Sequence, residues 1–195
     1  MQTLEANTGI RRACYMNISE MRLPRQMEKD GSAEIIRRVL MARIAKLWTG
    51  SEIEVPEITV TETLKAALRK ARLQGRIRCG TDPIFEKLAG ERKGIAQVRS
   101  QSKTVYGDRI SRLLLFSNDG AERFYRNIEQ EIKANTPRLL GCLVDIDGSS
   151  LGQLITGKAG IIKIVMVEHK AAVADILRTL GDSSGIGAMI TPDLS

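Results

Sequence analysis

The sequence predicts a three-layer α/β fold, in which a parallel or mixed sheet carries helices on both faces and an N-terminal helical extension precedes it. Three continuous apolar segments have the character of strands buried on both faces. They cover residues 113–117, 138–146 and 160–168. Apolar residues at helical spacing predict three helices between and after these strands, at 121–135, 149–156 and 170–180.

The part of the chain before residue 61 is predicted to be an extension. Residues 1–30 are polar and irregular, and we expect an extended arm there. Residues 32–48 have apolar side chains at helical spacing, with Ser32 as the N-cap and Gly50 as the end of the helix. Residues 51–61 are acidic and rich in β-branched side chains, which indicates a linker or a short edge strand.

Two further helices are predicted ahead of the first long strand. One covers residues 62–74 and is followed by Gly75. The other covers about 82–90, with Asp82 as N-cap and Pro83 at the first helical position. Residues 91–112 are basic and polar, and they predict a long loop that includes one short strand at 95–98.

These elements divide the chain into three parts. We expect an arm with an amphipathic helix at 1–60, an α/β domain at 61–181 and a flexible Gly/Ser-rich tail at 182–195. No apolar run approaches 18 residues, so no membrane span and no membrane partner are expected. The first residues have no apolar core of a secretory signal, which predicts an intracellular protein.

The charge is uneven along the chain. The 195 residues carry a formal net charge of +7, and aromatic side chains make up only 4%. Residues 65–112 alone hold 13 Lys and Arg against four Asp and Glu, a net charge of +9. A concentrated positive field favours a polyanionic partner. The alternative is a solvated surface that keeps the protein soluble.

Cysteine and histidine usage argues against a disulfide framework or a zinc site. The three cysteines, Cys14, Cys79 and Cys142, are odd in number and far apart, and His169 is the only histidine. We therefore expect no metal and no cofactor. Reduced thiols suit the cytoplasm, the nucleus or nucleolus, or an organelle matrix.

The most enzyme-like string is VDIDG at 144–148. Its Asp145 and Asp147 follow an apolar strand, as do carboxylates that hold Mg²⁺ beside a phosphate. The string resembles the first motif of haloacid-dehalogenase-type phosphatases and, less closely, the acidic pair of toprim nucleases. No second acidic pair follows it. Helix capping by the two carboxylates is therefore the favoured interpretation, and a Mg²⁺-dependent phosphate-processing enzyme is the alternative.

Two other strings are more informative. RIRCGTDPIFEKL at 76–88 places a glycine turn before a helix, and SSLGQLITGK at 149–158 ends a short helix before a buried strand. Their order along residues 62–180 resembles the kink-turn-binding ribosomal proteins of the L-seven-Ae and L-thirty-e group. Relatives of that group include snoRNP proteins and protein subunits of ribonuclease P and ribonuclease MRP.

The resemblance implies an α-β-α sandwich with a mixed, mostly parallel sheet. It also implies an RNA site that combines the glycine turn and helix start with the segment at 156–161. The cations near the turn add phosphate-binding potential to this site. The predicted RNA-binding residues are Arg76, Arg78, Gly80, Thr81, Asp82, Glu86, Lys87 and Lys158.

Three motif positions differ from the family pattern. The family's Asn, Glu and Lys are Asp82, Pro83 and Glu86 here, which removes an amide, a carboxylate and a cation. We therefore expect RNA recognition that differs from the family's and that other protein subunits assist. The predicted function is a non-catalytic RNA-binding subunit of a ribonucleoprotein particle, with structured RNA and other subunits as partners. A protein–protein scaffold that has lost RNA binding is a further alternative.

Overall fold

The computed structural model describes residues 18–101 and 108–182. Within them, seven α-helices and six strands follow a single 3-10 turn at Ile18–Glu20. The helices are α1 (Arg25–Lys29), α2 (Ser32–Ala42), α3 (Glu62–Leu73), α4 (Thr81–Gln101), α5 (Glu122–Asn135), α6 (Gly148–Thr156) and α7 (Lys170–Asp182). The strands are β1 (Ile44–Lys46), β2 (Glu54–Ile58), β3 (Ile77–Cys79), β4 (Arg112–Phe116), β5 (Leu139–Val144) and β6 (Ile164–Val167).

All six strands join one mixed sheet in the order β1-β2-β5-β4-β6-β3. The two central pairs, β2 with β5 and β5 with β4, are parallel. The outer pairs, β1 with β2, β4 with β6 and β6 with β3, are antiparallel. The mixed sheet with a parallel centre confirms the predicted fold class.

Helices cover both faces of the sheet. On one face α4 contacts α5, and on the other α7 contacts both α2 and α3. Phe116 of β4 meets Tyr125 of α5 with ring centroids 6.4 Å apart, which identifies the face toward α5. Because side chains alternate along a strand, Leu115 points to the opposite layer, and both Leu115 and Phe116 are fully buried. The aliphatic core therefore fills both spaces between the layers.

The elements predicted after residue 112 are confirmed to within a few residues, and so is the helix predicted at 62–74. The predicted helix at 32–48 is too long. It ends at Ala42, because Arg43 has extended backbone angles (φ −136°, ψ 117°) and β1 follows. Ile44 continued the helical spacing in the sequence, yet this residue is 51% exposed on a strand.

Two expectations for the same region also need correction. Gly31, with φ +78°, occupies the N-cap position of α2, and Ser32 is the first helical residue. Residues 51–61 contain β2, which lies between β1 and β5 rather than at the edge of the sheet. The sheet therefore extends across the domain boundary that the sequence placed at residue 61.

The loop and short strand predicted at 91–112 are wrong over residues 91–101, because α4 continues to Gln101. Residues 102–107 lie outside the described residues, and residues 108–111 belong to no helix or named strand. The sequence did not indicate the full length of α4, because the segment contains Gly90 and Gly94 and has only a weak apolar pattern. Ion pairs hold its second half to the rest of the fold. Glu91 pairs with Arg112 at 2.8 Å, and Arg92 pairs with Glu131 at 2.6 Å.

Residues 18–30 are not an extended arm. Leu23 and Met27 are completely buried, and the N–H of Ile110 donates to the carbonyl of Arg22 at 2.8 Å. The segment therefore packs beside the start of β4. The predicted arm at 1–17 and the predicted tail at 183–195 lie outside the described residues.

A buried carboxylate, Glu129 of α5, fastens the β1–β2 connection to the helix. Its side chain is 6% exposed, and it accepts hydrogen bonds from Trp48 Nε1 at 2.9 Å and Ser51 Oγ at 2.8 Å. The backbone N–H of Glu52 donates to it at 3.1 Å. Lys133 Nζ lies 2.8 Å from the same carboxylate. Burial alone would raise the pKa of Glu129. The hydrogen bonds, among which those from Lys133 and Ser51 have the largest effects, lower this pKa below its ordinary value.

Replacing this carboxylate should destabilise the fold. We expect Glu129→Gln to lower the free energy of unfolding by about 2–4 kcal/mol, because an amide cannot accept all of these hydrogen bonds or pair with Lys133. Urea denaturation would measure the change. Glu122→Gln on the same helix is the matched control, since its carboxylate is 56% exposed, and we expect a change within about 0.5 kcal/mol.

The same substitution should alter the pH dependence of stability. A lowered folded-state pKa contributes stability above the ordinary carboxyl value of 4.5 and loses it as pH falls below that value. The Glu129→Gln variant should therefore lose less stability than the wild type between neutral and acidic pH. If the free energy of unfolding fell with pH in the same way for the two proteins, this role of Glu129 would be contradicted.

Candidate functional site

The turn between β3 and α4 is built on Gly80. Its φ of +89° lies in the left-handed region that glycine adopts without strain. The Gly80 N–H donates to the carbonyl of Ile164 at 3.2 Å, and the Gly80 carbonyl accepts from the N–H of Ile84 at 3.3 Å. Thr81 is the first residue of α4, so Asp82 lies within the first turn and is not the N-cap that the sequence suggested.

The second predicted element is α6 with the connection at 157–163, called here the α6–β6 loop. Gly157 ends the helix with φ +72°. The loop then folds back on α6, where the N–H of Ile162 donates to the carbonyl of Gly148 at 2.8 Å. A Cβ on Gly152 would lie 2.0 Å from the Gly160 carbonyl oxygen, so only glycine permits this approach.

These two elements meet at the start of β6. Because β3 and β6 are antiparallel, with Cys79 opposite Val165, the end of β3 adjoins the end of the α6–β6 loop. Gly80, Thr81 and the loop containing Lys158 therefore lie at the same edge of the sheet. The carboxyl ends of β2, β4 and β5 reach this edge as well, so we call it the carboxyl edge.

The other predicted site residues are not all at this edge. Arg76 precedes β3, and its carbonyl accepts a hydrogen bond from the N–H of Glu168. Arg76 and Gly80 are separated by about 13 Å of extended chain. Arg78 is in the middle of β3 and forms an ion pair with Glu168. Glu86 is exposed one turn into α4, and Lys87 lies 3.8 Å from Glu91. The structure thus groups Gly80, Thr81, Asp82 and Lys158 and separates Arg76 from them.

Asp145 and Asp147 also lie at the carboxyl edge, where each accepts a backbone hydrogen bond. The Val60 N–H donates to Asp145 at 2.9 Å, just before α3. The Ser150 N–H donates to Asp147 at 2.6 Å, which makes Asp147 the N-cap of α6 and lowers its pKa. Across residues 18–101 and 108–182, no group of three or more His, Cys, Asp or Glu side chains could hold a metal ion. Asp147 therefore caps α6, whereas Asp145 holds the segment just before α3, whose N-cap is Thr61.

A network around Asp119 was missed in the sequence. Its Oδ1 accepts from Ser117 Oγ at 2.6 Å and from the Gly148 N–H at 3.0 Å. Lys163 Nζ lies 3.3 Å from Asp119 Oδ2. The hydrogen bond from Ser117, assisted by Lys163 and Gly148, holds the pKa of Asp119 below its usual value. A Ser-x-Asp string directly after a buried strand was the available signal for this anchor between β4, α6 and the α6–β6 loop.

Neither described cysteine forms a disulfide. Cys79 and Cys142 are free, and burial raises the pKa of both thiols. The Nδ1 atom of His169 accepts from the Ala171 N–H at 3.3 Å at the start of α7. Cys14 lies outside the described residues. In the described part of the chain, no helix has the length and apolarity needed to cross a membrane.

The basic stretch at 65–112 is partly neutralised by acidic residues from elsewhere in the fold. Arg78 pairs with Glu168, Arg92 with Glu131, and Arg109 lies 3.8 Å from Glu28. In the described segments, some cations of this stretch and of the candidate site have no ion pair. They are Arg69, Lys70, Arg72, Arg76, Lys93, Arg99 and Lys158.

The close approach of the α6–β6 loop to α6 can be tested with a glycine substitution. We expect Gly152→Ala to lower the free energy of unfolding by about 2–3 kcal/mol, because the new Cβ would collide with the Gly160 carbonyl and move the loop. Gly94→Ala is the control, since no atom lies within 4 Å of its Cβ position. That change should raise stability by about 0.5–1 kcal/mol. Equal thermal shifts for both variants would argue against the constraint.

Comparison with known proteins assigns no family to the chain: no protein-family model matches it, and no curated protein is significantly similar to it.

Proposed function

We propose that this protein is a non-catalytic RNA-binding subunit of a ribonucleoprotein particle of the ribonuclease P/MRP, ribosomal or snoRNP type. The observation that carries the proposal is the junction at the carboxyl edge. There the hydrogen bond of 3.2 Å from Gly80 to Ile164 holds the start of α4 beside the α6–β6 loop. The resemblance of the sequence to the kink-turn-binding proteins implies an RNA site made of these two elements.

The order of elements supports the same proposal. From residue 62 onward the chain runs through α3, β3, α4, β4, α5, β5, α6, β6 and α7. This order agrees with the helix, turn, strand and loop order on which the resemblance rests. Residues 91–101 continue α4 and leave this order intact.

The chemistry of the junction suits a phosphate near the helix start and a base near the loop. At the start of the 21-residue helix α4, the N–H groups of Thr81 and Asp82 and the positive end of the helix dipole can face a phosphate. Pro83 has no N–H, and the N–H of Ile84 donates to Gly80. Lys158 is exposed and has no ion pair in the described segments. Ile161, 74% exposed, offers an apolar surface against which a base can pack.

Acidic side chains limit how far RNA can extend along α4. Asp82 and Glu86 are both exposed on its first two turns. They would repel a phosphate backbone that followed the helix, so RNA contact with α4 is confined to the start of this helix. Protein subunits of the particle would provide the remaining affinity. Particles of this kind work in the cytoplasm, the nucleus or nucleolus, or an organelle matrix.

Charge reversal in the loop tests the site. With a structured RNA that contains a kink-turn, we expect Lys158→Glu to weaken binding about tenfold at moderate salt, because a phosphate contact is replaced by repulsion. Fluorescence anisotropy would give the dissociation constant. The control Lys46→Glu changes an exposed cation on β1, at the far edge of the sheet, and should leave the affinity within twofold.

Equal affinity of the Lys158→Glu variant and the wild type would contradict the site. Charge reversal of Arg76 and Arg78, two of the predicted RNA-binding residues, is a less specific test. Arg78→Glu would also place two carboxylates together, because Arg78 pairs with Glu168.

A further inference from the structure

A second basic surface lies at the opposite end of the sheet. It is an open groove of about 600 Å³ between α1, the starts of β4 and β5, and the start of α7. We call it the amino-edge groove. Five cations line it: Arg25, Lys29, Arg109, Arg138 and Lys170.

None of the described residues that line this groove is acidic. Among residues 18–101 and 108–182, only Arg109 of the five cations has an ion pair, a long one of 3.8 Å to Glu28. Glu28 itself contacts Arg37 more closely, at 2.6 Å. Asp108, the neighbour of Arg109, pairs with Arg22 at 3.1 Å. The nearby acids are therefore engaged elsewhere, and the groove keeps an uncompensated positive potential.

The shape and the backbone of the groove favour an anion as well. Lys170 is the first residue of the 13-residue helix α7, so the positive end of the helix dipole faces this region. Ala171 and Ala174 add a small apolar surface that permits close approach to the backbone. In the described part of the chain, Ser111 Oγ is the one buried side-chain polar atom without a hydrogen-bond partner, and Ser111 also lines the groove.

We propose that the amino-edge groove binds the phosphate backbone of an RNA strand, as a contact surface separate from the carboxyl edge. Cations from four chain segments, around residues 25–29, 109, 138 and 170, surround one volume, which suits several successive phosphates better than a single anion. Arginine side chains can each contact two phosphate oxygens. The identification of the polyanion as RNA rests on the proposed function.

The position of the groove adds a geometric consequence. Strands β4 and β5 have five and six residues, so their two ends are about 15–20 Å apart. An RNA that occupied both edges would pass along the molecule from the α6–β6 loop to the start of α7. A kink-turn element alone at the carboxyl edge would leave the groove empty, so the probe needs a single-stranded extension.

The test uses the full chain and a fluorescein-labelled kink-turn hairpin with a mixed-sequence single-stranded extension. The groove variant is Arg138→Glu with Lys170→Glu, and the control is Arg38→Glu with Lys46→Glu, an equal change of charge at exposed positions outside the groove. We expect the groove variant to bind at least about tenfold more weakly, with a slope of log affinity against log salt smaller by about 1.5. The control should match the wild type in both measurements.

A milder variant, Arg138→Gln with Lys170→Gln, guards against misfolding, and thermal melting would show that each variant folds. Wild-type affinity and slope in both folded groove variants would overturn the inference. If Lys158→Glu still weakened binding in that case, the proposed function would stand without the groove. If the wild type bound no RNA, both would be overturned. Poly-glutamate is a second probe, which stands for an acidic protein segment. If the groove variants lost poly-glutamate binding but kept RNA binding, the inference would be overturned in favour of an acidic protein segment.

Discussion

The pairing of β6 with both β4 and β3 determines where every candidate surface of this protein lies. β6 has only four residues, and all four are buried. Its antiparallel register brings Cys79 opposite Val165 at one end and Ile77 opposite Val167 at the other. The first pairing sets the start of α4 beside the α6–β6 loop, and the end of the strand leads directly into α7. A short buried strand thus links the carboxyl edge to the amino-edge groove.

The position of the α6–β6 loop depends on a second constraint, which is that two residues of α6 are glycines. Gly152 allows the Gly160 carbonyl to approach the helix, and Gly148 lies beneath Lys163 and Ile161. Asp119 then fixes the start of α6 through the Gly148 N–H. With its base held in this way, the exposed part of the loop presents Lys158 and Ile161 in a defined position. Such preorganisation lowers the entropy lost on binding.

The sequence predicted the second half of the fold well because its signals are local. Strands such as β5 are apolar along their whole length, and α5 has a clear buried stripe that includes Ile128 and Ile132. The β1–β2 hairpin was missed because Ile44 and Leu47 keep helical spacing while the chain has already become extended. The second half of α4 was missed because its stability comes from ion pairs to Arg112 and Glu131, which are distant in sequence.

The sequence predicted those parts of the candidate site that depend on local patterns, and it did not predict the parts that depend on contacts between distant segments. Gly80, Thr81 and Lys158 belong to local turn and helix patterns, and the structure brings their elements together. The separation of Arg76 and the anchoring role of Asp119 depend on strand register and on contacts across the sheet. Neither is encoded in spacing along the chain.

Charge counted along the sequence differs from charge presented at the surface. The stretch at 65–112 has a net charge of +9, yet acidic residues from later in the chain, such as Glu131 and Glu168, neutralise several of its cations. The amino-edge groove takes only Arg109 from that stretch. Its remaining cations come from segments whose own composition is not strongly basic, and folding places them where nearby carboxylates already have other partners. The field that a polyanion meets is therefore set by which cations the fold leaves unpaired. Among the described residues, four of these, Arg25, Lys29, Arg138 and Lys170, line the groove at the edge of the sheet opposite the one that the motif identified.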